Sequence, residues 1–297
     1  MAKRPTTVLR ELFASPGVIV APGVADALNA RLVAAEGFKA IYMTGGGTSA
    51  VRLGMPDVGL LTMPEMVDNA GRVADASGLP VISDADTGYG NPLNVRRTVR
   101  EFEKAGVAGV HLEDQELPKR CGHLSGKSLV STAEMVNKIR AACDVRNDPD
   151  FVIIARTDAL TVEGFEAALD RGRAYEEAGA DMIFVESPLT MEHLRAIPKA
   201  FTVPTLFNMA SSGKTPYAHT SELAELGFKL AIYPNFAILS AIPAVRHFLA
   251  ELREKGTVAH LVKDMATFTQ WFDAVGMADV KALEEKFGLP EAKRAGY

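Results

Sequence analysis

The chain has 297 residues, 47% apolar and 23% charged, a balance that suits a globular protein and excludes the disordered and fibrous classes. Its 32 Lys and Arg stand against 37 Asp and Glu, a net charge of −5, and no basic run is long enough to make the patch a nucleic-acid binder shows. No apolar stretch approaches the roughly 18 residues of a membrane span, and two cysteines, Cys121 and Cys143, are too few for a disulfide framework. The expectation is a cytoplasmic enzyme with neither nucleic acid nor membrane as partner.

The first residues lead into Leu9-Arg10-Glu11-Leu12 and not into a signal-peptide apolar core. Beyond them, short runs rich in Val, Ile and Phe recur at 18–22, 40–45, 81–86, 109–114, 151–158, 181–187, 205–209 and 229–234. Near-continuous apolar runs of this length predict parallel strands covered on both faces. Between them, 26–37, 64–77, 92–105, 132–143 and 162–178 carry apolar residues at helical spacing, with Ser131 or Thr132 as a cap and Glu134 in the first turn after it. Gly37, Gly78, Gly106 and Gly179 sit where a helix should stop. Eight such beats favour the α/β class and a (β/α)8 TIM barrel. A doubly wound open sheet gives the same alternation and stands as the alternative. Length alone allows two domains. The unbroken rhythm makes 1–297 one barrel domain, with 236–297 as a helical extension for oligomerisation. Trp271, Phe272 and Phe287 give that extension apolar faces that need a surface, such as a neighbouring subunit.

Polar residues collect at the predicted strand ends: Thr44-Gly45-Gly46-Gly47, Asp84-Ala85-Asp86, Glu113-Asp114, Arg156-Thr157-Asp158, Glu186-Ser187 and Asn208. In a barrel these ends share one face, where active sites sit. Asp84 and Asp86, two apart on a strand, would point the same way. A hard cation such as Mg2+ or Mn2+ would relieve their repulsion, with Glu113 and Asp57 as outer partners. The other reading is a helix cap and an ordinary ion pair. The glycine run either offers N–H groups to an anion or makes a tight turn at positive φ. Arg156 either clamps an anionic substrate bidentately or pairs with Glu113 or Glu186. Lys119-Arg120-Cys121-Gly122-His123 surrounds a thiol with cations expected to lower its pKa, in a loop that glycine leaves free to move. Cys143 and His111 read as core residues. No partner is visible for His193, His219, His247 or His260.

Taken together, Tyr42-Met43-Thr44-Gly45-Gly46-Gly47, Leu53-Gly54-Met55-Pro56-Asp57, Asp84-Ala85-Asp86-Thr87-Gly88-Tyr89-Gly90, the Lys119–His123 loop and Ala155-Arg156-Thr157-Asp158 resemble the isocitrate lyase / phosphoenolpyruvate mutase superfamily over about residues 6–290. Phosphonate-forming members lack the cysteine of that loop, so the resemblance is to the carbon–carbon lyase branch or the oxaloacetate hydrolases within it. The resemblance implies a barrel whose last helix is swapped between subunits, giving a homotetramer. It implies Mg2+, or Mn2+, on Asp84 and Asp86 with Asp57 and Glu113 near. The 2-oxygen and carboxylate of a small dicarboxylate would sit on that metal. Thr44, Gly45 and Gly46 would bind the carboxylate, Arg156 would clamp it, and Gly122, His123, Glu186 and Asn208 would complete the pocket. The loop would close as a lid with Cys121 as proton donor, and the base is open between Tyr42 and a metal-bound hydroxide.

Departures choose within the branch. Where methylisocitrate lyases carry arginines for a tricarboxylate, in segments like YPLSAFR and MQTR, this chain has Leu239 and Phe268. The loop continues GHLSGK, closer to the dimethylmalate lyase and petal-death-protein pattern than to GHRPNK. The hydrolase activity resembles proteins with a serine near the position of Pro234, which has no hydroxyl. The expected substrate is therefore a 2,3-dimethylmalate-like 2-hydroxy dicarboxylate, its alkyl group near Phe236, Leu239 or Phe268. Methylisocitrate lyase, oxaloacetate hydrolase and a non-enzymatic metal–dicarboxylate binder are the alternatives.

Overall fold

The computed structural model describes residues 3–212 and 214–294. Its eight strands are β1 (Ile19–Val24), β2 (Ile41–Met43), β3 (Val81–Asp84), β4 (Gly109–Glu113), β5 (Val152–Thr157), β6 (Met182–Val185), β7 (Thr205–Asn208) and β8 (Leu230–Tyr233). They pair in chain order, all parallel, and β8 pairs with β1 to close the barrel. Closure excludes the open sheet, and each strand falls within two residues of its predicted run.

Alternation splits these buried strands between two cores. Ile41 and Met43, Val81, Ile153 and Ala155, Ile183 and Val185, and Phe207 join the cluster that the outer helices cover. Tyr42, Ile82, Val152 and Ile154, Met182 and Phe184, Leu206, and Ile232 fill the barrel interior. Both faces of each strand are thus apolar, which is why the runs read as continuous.

The helices around the barrel are α1 (Pro5–Ala14), α2 (Ala27–Ala35), α3 (Gly45–Leu53), α4 (Met63–Ser77), α5 (Pro92–Lys104), α6 (Thr132–Val145), α7 (Phe165–Glu177), α8 (Met191–Ala196) and α9 (Thr220–Leu226). Ser131 is the α6 cap, accepting from the Glu134 N–H, and the four glycines expected to close helices all have positive φ. The sequence reading missed α1, although Pro5 at its first turn and Leu9, Leu12 and Phe13 at helical spacing signal it. Leu9 is fully buried, and Leu12 and Phe13 pack on the interior cluster. Arg10 donates to the Asp150 carbonyl at 3.0 Å and pairs with Asp181 at 2.8 Å, so α1 closes the end where β5 and β6 begin. The half-buried Cys143 packs against the outer core and donates to the Gly179 carbonyl.

The chain divides into two compact units, one through Phe236 and one from Ala237. The second unit holds nearly all of α10 (Phe236–Lys255), with α11 (Phe268–Ala274) and α12 (Met277–Lys286). Leu239, Ile242, Val245, Leu249 and Leu252 make a stripe along α10, every one of them exposed. Trp271 stacks on Phe272 in α11. No helix among the described residues is long and apolar enough to cross a membrane.

Candidate active site

The interior layer continues upward into polar residues. Two positions beyond Tyr42, Ile82, Ile154, Phe184 and Leu206 stand Thr44, Asp84, Arg156, Glu186 and Asn208, and on β4 the same parity gives His111 and Glu113. All seven are buried. Asp114, of opposite parity, faces outward, where it accepts from Thr157, Tyr175 and Arg171.

The glycine run does not form a positive-φ turn. It is the first turn of α3, with Thr44 as cap accepting from the Gly47 N–H at 3.2 Å. Glycine is needed there for close approach, since a Cβ on Gly45 would lie 2.3 Å from Asp84 Oδ2. The Gly45 N–H donates to that oxygen at 3.1 Å, so it anchors a side chain of the site. Gly45→Ala should therefore push the Asp84 carboxylate aside and lower kcat about a hundredfold. Steady-state kinetics beside an unchanged circular-dichroism spectrum would check it.

Asp84 and Asp86 come together differently from the expectation of two strand residues sharing a face. Asp84 ends β3, whereas Asp86 lies past it at φ +46. That left-handed conformation lets the Asp86 N–H donate to Asp84 Oδ1 at 2.9 Å. Lys119 Nζ bridges Asp57 at 2.6 Å and Asp86 at 2.8 Å, so Asp57 pairs with an ammonium that the sequence reading had not placed in the site. Arg156 makes a two-pronged contact with Asp158 at 3.0 and 3.1 Å and reaches Glu113 at 3.1 Å and Glu186 at 3.4 Å. Asn208 donates to both Glu186 oxygens.

His111 is not a core histidine with satisfied partners. Its Nε2 lies 2.8 Å from the Tyr42 hydroxyl and 3.5 Å from Asp84, and Nδ1 has no hydrogen-bond partner among the described residues. Burial pushes its pKa down to about 4. Its parity with Glu113 on β4 was the signal available in the sequence.

The loop after β4 lies over these groups. The Cys121 N–H donates to the Asp57 carbonyl at 3.1 Å. Gly122 packs so closely that a Cβ would fall 2.4 Å from Arg156 and 2.7 Å from Glu186. His123 Nε2 stands 3.3 Å from Glu186, and its Nδ1 lies 2.9 Å from the Ser212 hydroxyl. Lys127 holds Asp158 at 3.1 Å and donates to the Gly122 carbonyl, while Lys214 donates to the His123 carbonyl. Beside the loop opens a cavity of about 370 Å³, with Leu124 and Val162 as apolar walls and Lys127 and Lys214 as cations.

Six carboxylates (Asp57, Asp84, Asp86, Glu113, Asp158, Glu186) share three cations (Lys119, Lys127, Arg156). Burial raises Asp86 to about 6 against the pull of Lys119, and lifts Glu113 well above the carboxylate range despite Arg156. For Asp84 burial acts the same way, but His111, Lys119 and Arg156 outweigh it and hold the group low. Glu186 also stays low, because Arg156 and His123 overcome its burial. Burial raises the Tyr42 phenol, reinforced by Asp84. The expectation of a lowered Cys121 pKa is overturned. Burial raises the thiol, and a backbone hydrogen bond from His123 does not cancel it. Burial outweighs the charges there.

The sequence profile of the family described as phosphoenolpyruvate phosphomutase matches residues 9–253. The 2,3-dimethylmalate lyase of Eubacterium barkeri is 48% identical over 279 residues, 94% of this chain and 96% of that protein. The 2-methylisocitrate lyase of Aeropyrum pernix is 43% identical over 93% of this chain and 89% of its own length. Among solved structures, oxaloacetate acetylhydrolase with the inhibitor 3,3-difluorooxalacetate superposes at a TM-score of 0.92, with 40% identity, 97% of this chain covered and 98% of the other. The chain belongs to the phosphoenolpyruvate phosphomutase family, within the isocitrate lyase superfamily, and stands there with the carbon–carbon lyases.

Proposed function

We propose that the chain cleaves the C2–C3 bond of a 2-hydroxy dicarboxylate of the 2,3-dimethylmalate kind, giving a 2-oxo acid such as pyruvate and a carboxylate. The observation that carries this reading is the loop set over Arg156 and Glu186, in which Cys121 precedes Gly122 and burial raises its thiol. As a carboxylate of the cluster takes the 2-hydroxyl proton, the C2–C3 electrons pass to C3 of the departing carboxylate, and Cys121 supplies the proton that C3 takes up. Arg156 and the Gly46 N–H at the start of α3 would meet the carboxylates, with Asn208 and Glu186 beside Arg156. The raised phenol keeps Tyr42 a hydrogen-bond donor, not the base.

The donor set suits a hard divalent cation. It is all oxygen, and Glu113 Oε1 is buried with no donor opposite it among the described residues. The raised Asp86 and Glu113 mark a cluster short of positive charge. Mg2+ needs only a few carboxylates, because it keeps several of its waters. Asp84 and Asp86 would hold Mg2+ or Mn2+, with Glu113 and Asp57 beside them. When bound it would polarise the 2-oxygen and adjoining carboxylate as a Lewis acid.

Leu124 and Val162 offer an apolar wall for the alkyl group. Leu239 and Phe268, which the resemblance sets where methylisocitrate lyases carry arginines, lie in the second unit. With Mg2+ and a panel of 2,3-dimethylmalate, methylisocitrate, citramalate and oxaloacetate, kcat/KM measured by release of the 2-oxo acid should be highest for 2,3-dimethylmalate. A preference for methylisocitrate or oxaloacetate would overturn the substrate, and binding without turnover of any of them would overturn the lyase.

A thiol that must be protonated to act, and whose pKa is raised, stays loaded as pH rises. The alkaline limb of kcat should therefore lie above the ordinary thiol range of about 8.5. Cys121→Ser should remove that limb. The exposed α10 stripe points to a partner copy, so we place the second unit against another subunit of a homotetramer. Light scattering on the eluted protein would show the tetramer mass. Two free thiols suit a cytoplasmic enzyme.

A further inference from the structure

His111 lies wholly inside the barrel on β4, stacked on Tyr42 with ring centroids 5.7 Å apart and edge-on to Phe184 at 5.8 Å. Two observations fix where its proton sits. First, Nδ1 is buried with no hydrogen-bond partner among the described residues, and a buried N–H without an acceptor is rarer and costlier than an under-used lone pair. A proton on Nδ1, in the neutral or the doubly protonated ring, would create that orphan. Second, Nε2 faces two oxygens, the Tyr42 hydroxyl at 2.8 Å and Asp84 Oδ1 at 3.5 Å. Asp84 already accepts from the N–H groups of Asp86 and Gly45, so its oxygens are acceptors. An N–H aimed between the two is attracted by both, whereas a lone pair there would be repelled by the carboxylate. Nε2–H therefore donates to the Tyr42 oxygen, and the phenolic proton must point elsewhere. The charges that act most on that hydroxyl are those of Asp84, Arg156, Lys119 and Glu186, the groups of the site.

We propose that His111 is a positioning residue: by donating from Nε2 it occupies the lone pair of Tyr42 and turns the phenolic proton toward an oxygen of the bound acid. The inference rests on the lyase reading for its kinetic consequence, not for its geometry. Nitrogen-15 NMR of histidine-labelled protein, with His111 assigned by its loss in His111→Gln, should show the Nε2–H tautomer without substrate. An Nδ1–H or doubly protonated ring would overturn the proposal even if every kinetic expectation of the lyase were met. Against the preferred substrate, His111→Leu should lower kcat about 10–100-fold with KM changed much less. The same substitution in a Tyr42→Phe background should cost less than about threefold, because the hydroxyl it orients is gone. His111→Gln, which restores an N–H near Nε2, should recover most of the loss. Equal losses in both backgrounds would mean that His111 acts by packing alone and would overturn the proposal. Should His111→Leu not fold, the tautomer in the unaltered protein still decides.

Discussion

Cys121→Ala is expected to lower kcat by about 10²–10⁴-fold, the usual worth of a positioned acid. Binding of the 2-oxo acid product should change less than about threefold. The split follows from where the residue sits. Cys121 is tied through its backbone to the Asp57 carbonyl, and that bond survives any side-chain change. The groups proposed to hold the ligand, Arg156, Asn208 and the first turn of α3, belong to strands and a helix and not to the loop. Cys121→Ser keeps the size but replaces the thiol with a much weaker acid, so it should resemble alanine. Product affinity by calorimetry and kcat from single turnovers separate the two effects. Full activity in Cys121→Ala would remove the residue from the chemistry.

Arg156→Leu should be the most destabilising substitution in the site. One guanidinium faces Asp158, Glu113 and Glu186, all of them buried. Removing one partner of a buried pair costs about 3–5 kcal/mol, because the charge left behind has lost its compensation. In a unit of this size that is a fall in Tm of about 10 °C, read by calorimetry at pH 7. The sign of the pH dependence is fixed by Glu186, which Arg156 holds below its ordinary range. A depressed carboxyl contributes stability above its unfolded pKa, about 4.3, and loses it as pH falls through the folded value. The gap between the two proteins should be full at pH 7 and narrow below about pH 4.5. Arg156→Lys should retain part of the stability and little of the activity, since an ammonium cannot make the two-pronged contact with Asp158. A Tm unchanged in Arg156→Leu would mean that these carboxyls simply take up protons.

Much of the fold was legible because strands buried on both faces leave unbroken apolar runs, and because Gly37, Gly78, Gly106 and Gly179 mark where helices stop. α1 was missed because it precedes the repeating unit, although its leucines carry the spacing. The site residues were legible as types at strand ends, but their pairings were not. Asp57 and Lys119 lie 62 positions apart, and nothing local announces that one ammonium will sit between Asp57 and Asp86. Asp86 was placed on the right face for the wrong reason, since its backbone turns left-handed beyond the strand. The Cys121 thiol was misjudged because cationic neighbours show in a sequence and burial of one side chain in a loop does not.

The split of each strand between an outward-facing and an inward-facing set of residues bears on how such a protein can change. Residues that grip the surrounding helices and residues that face the barrel interior alternate along the same few positions, yet they fall into two separate clusters. On the proposed reading, a substitution at Asn208 or in the Leu124–Lys127 stretch would bear on which acid is accepted, whereas Phe207 and Ile153 belong to the outer core. Inheritance can then revise specificity in small steps while the scaffold stays sound. Such a division suits a fold that superposes on oxaloacetate acetylhydrolase at a TM-score of 0.92 with 40% identity.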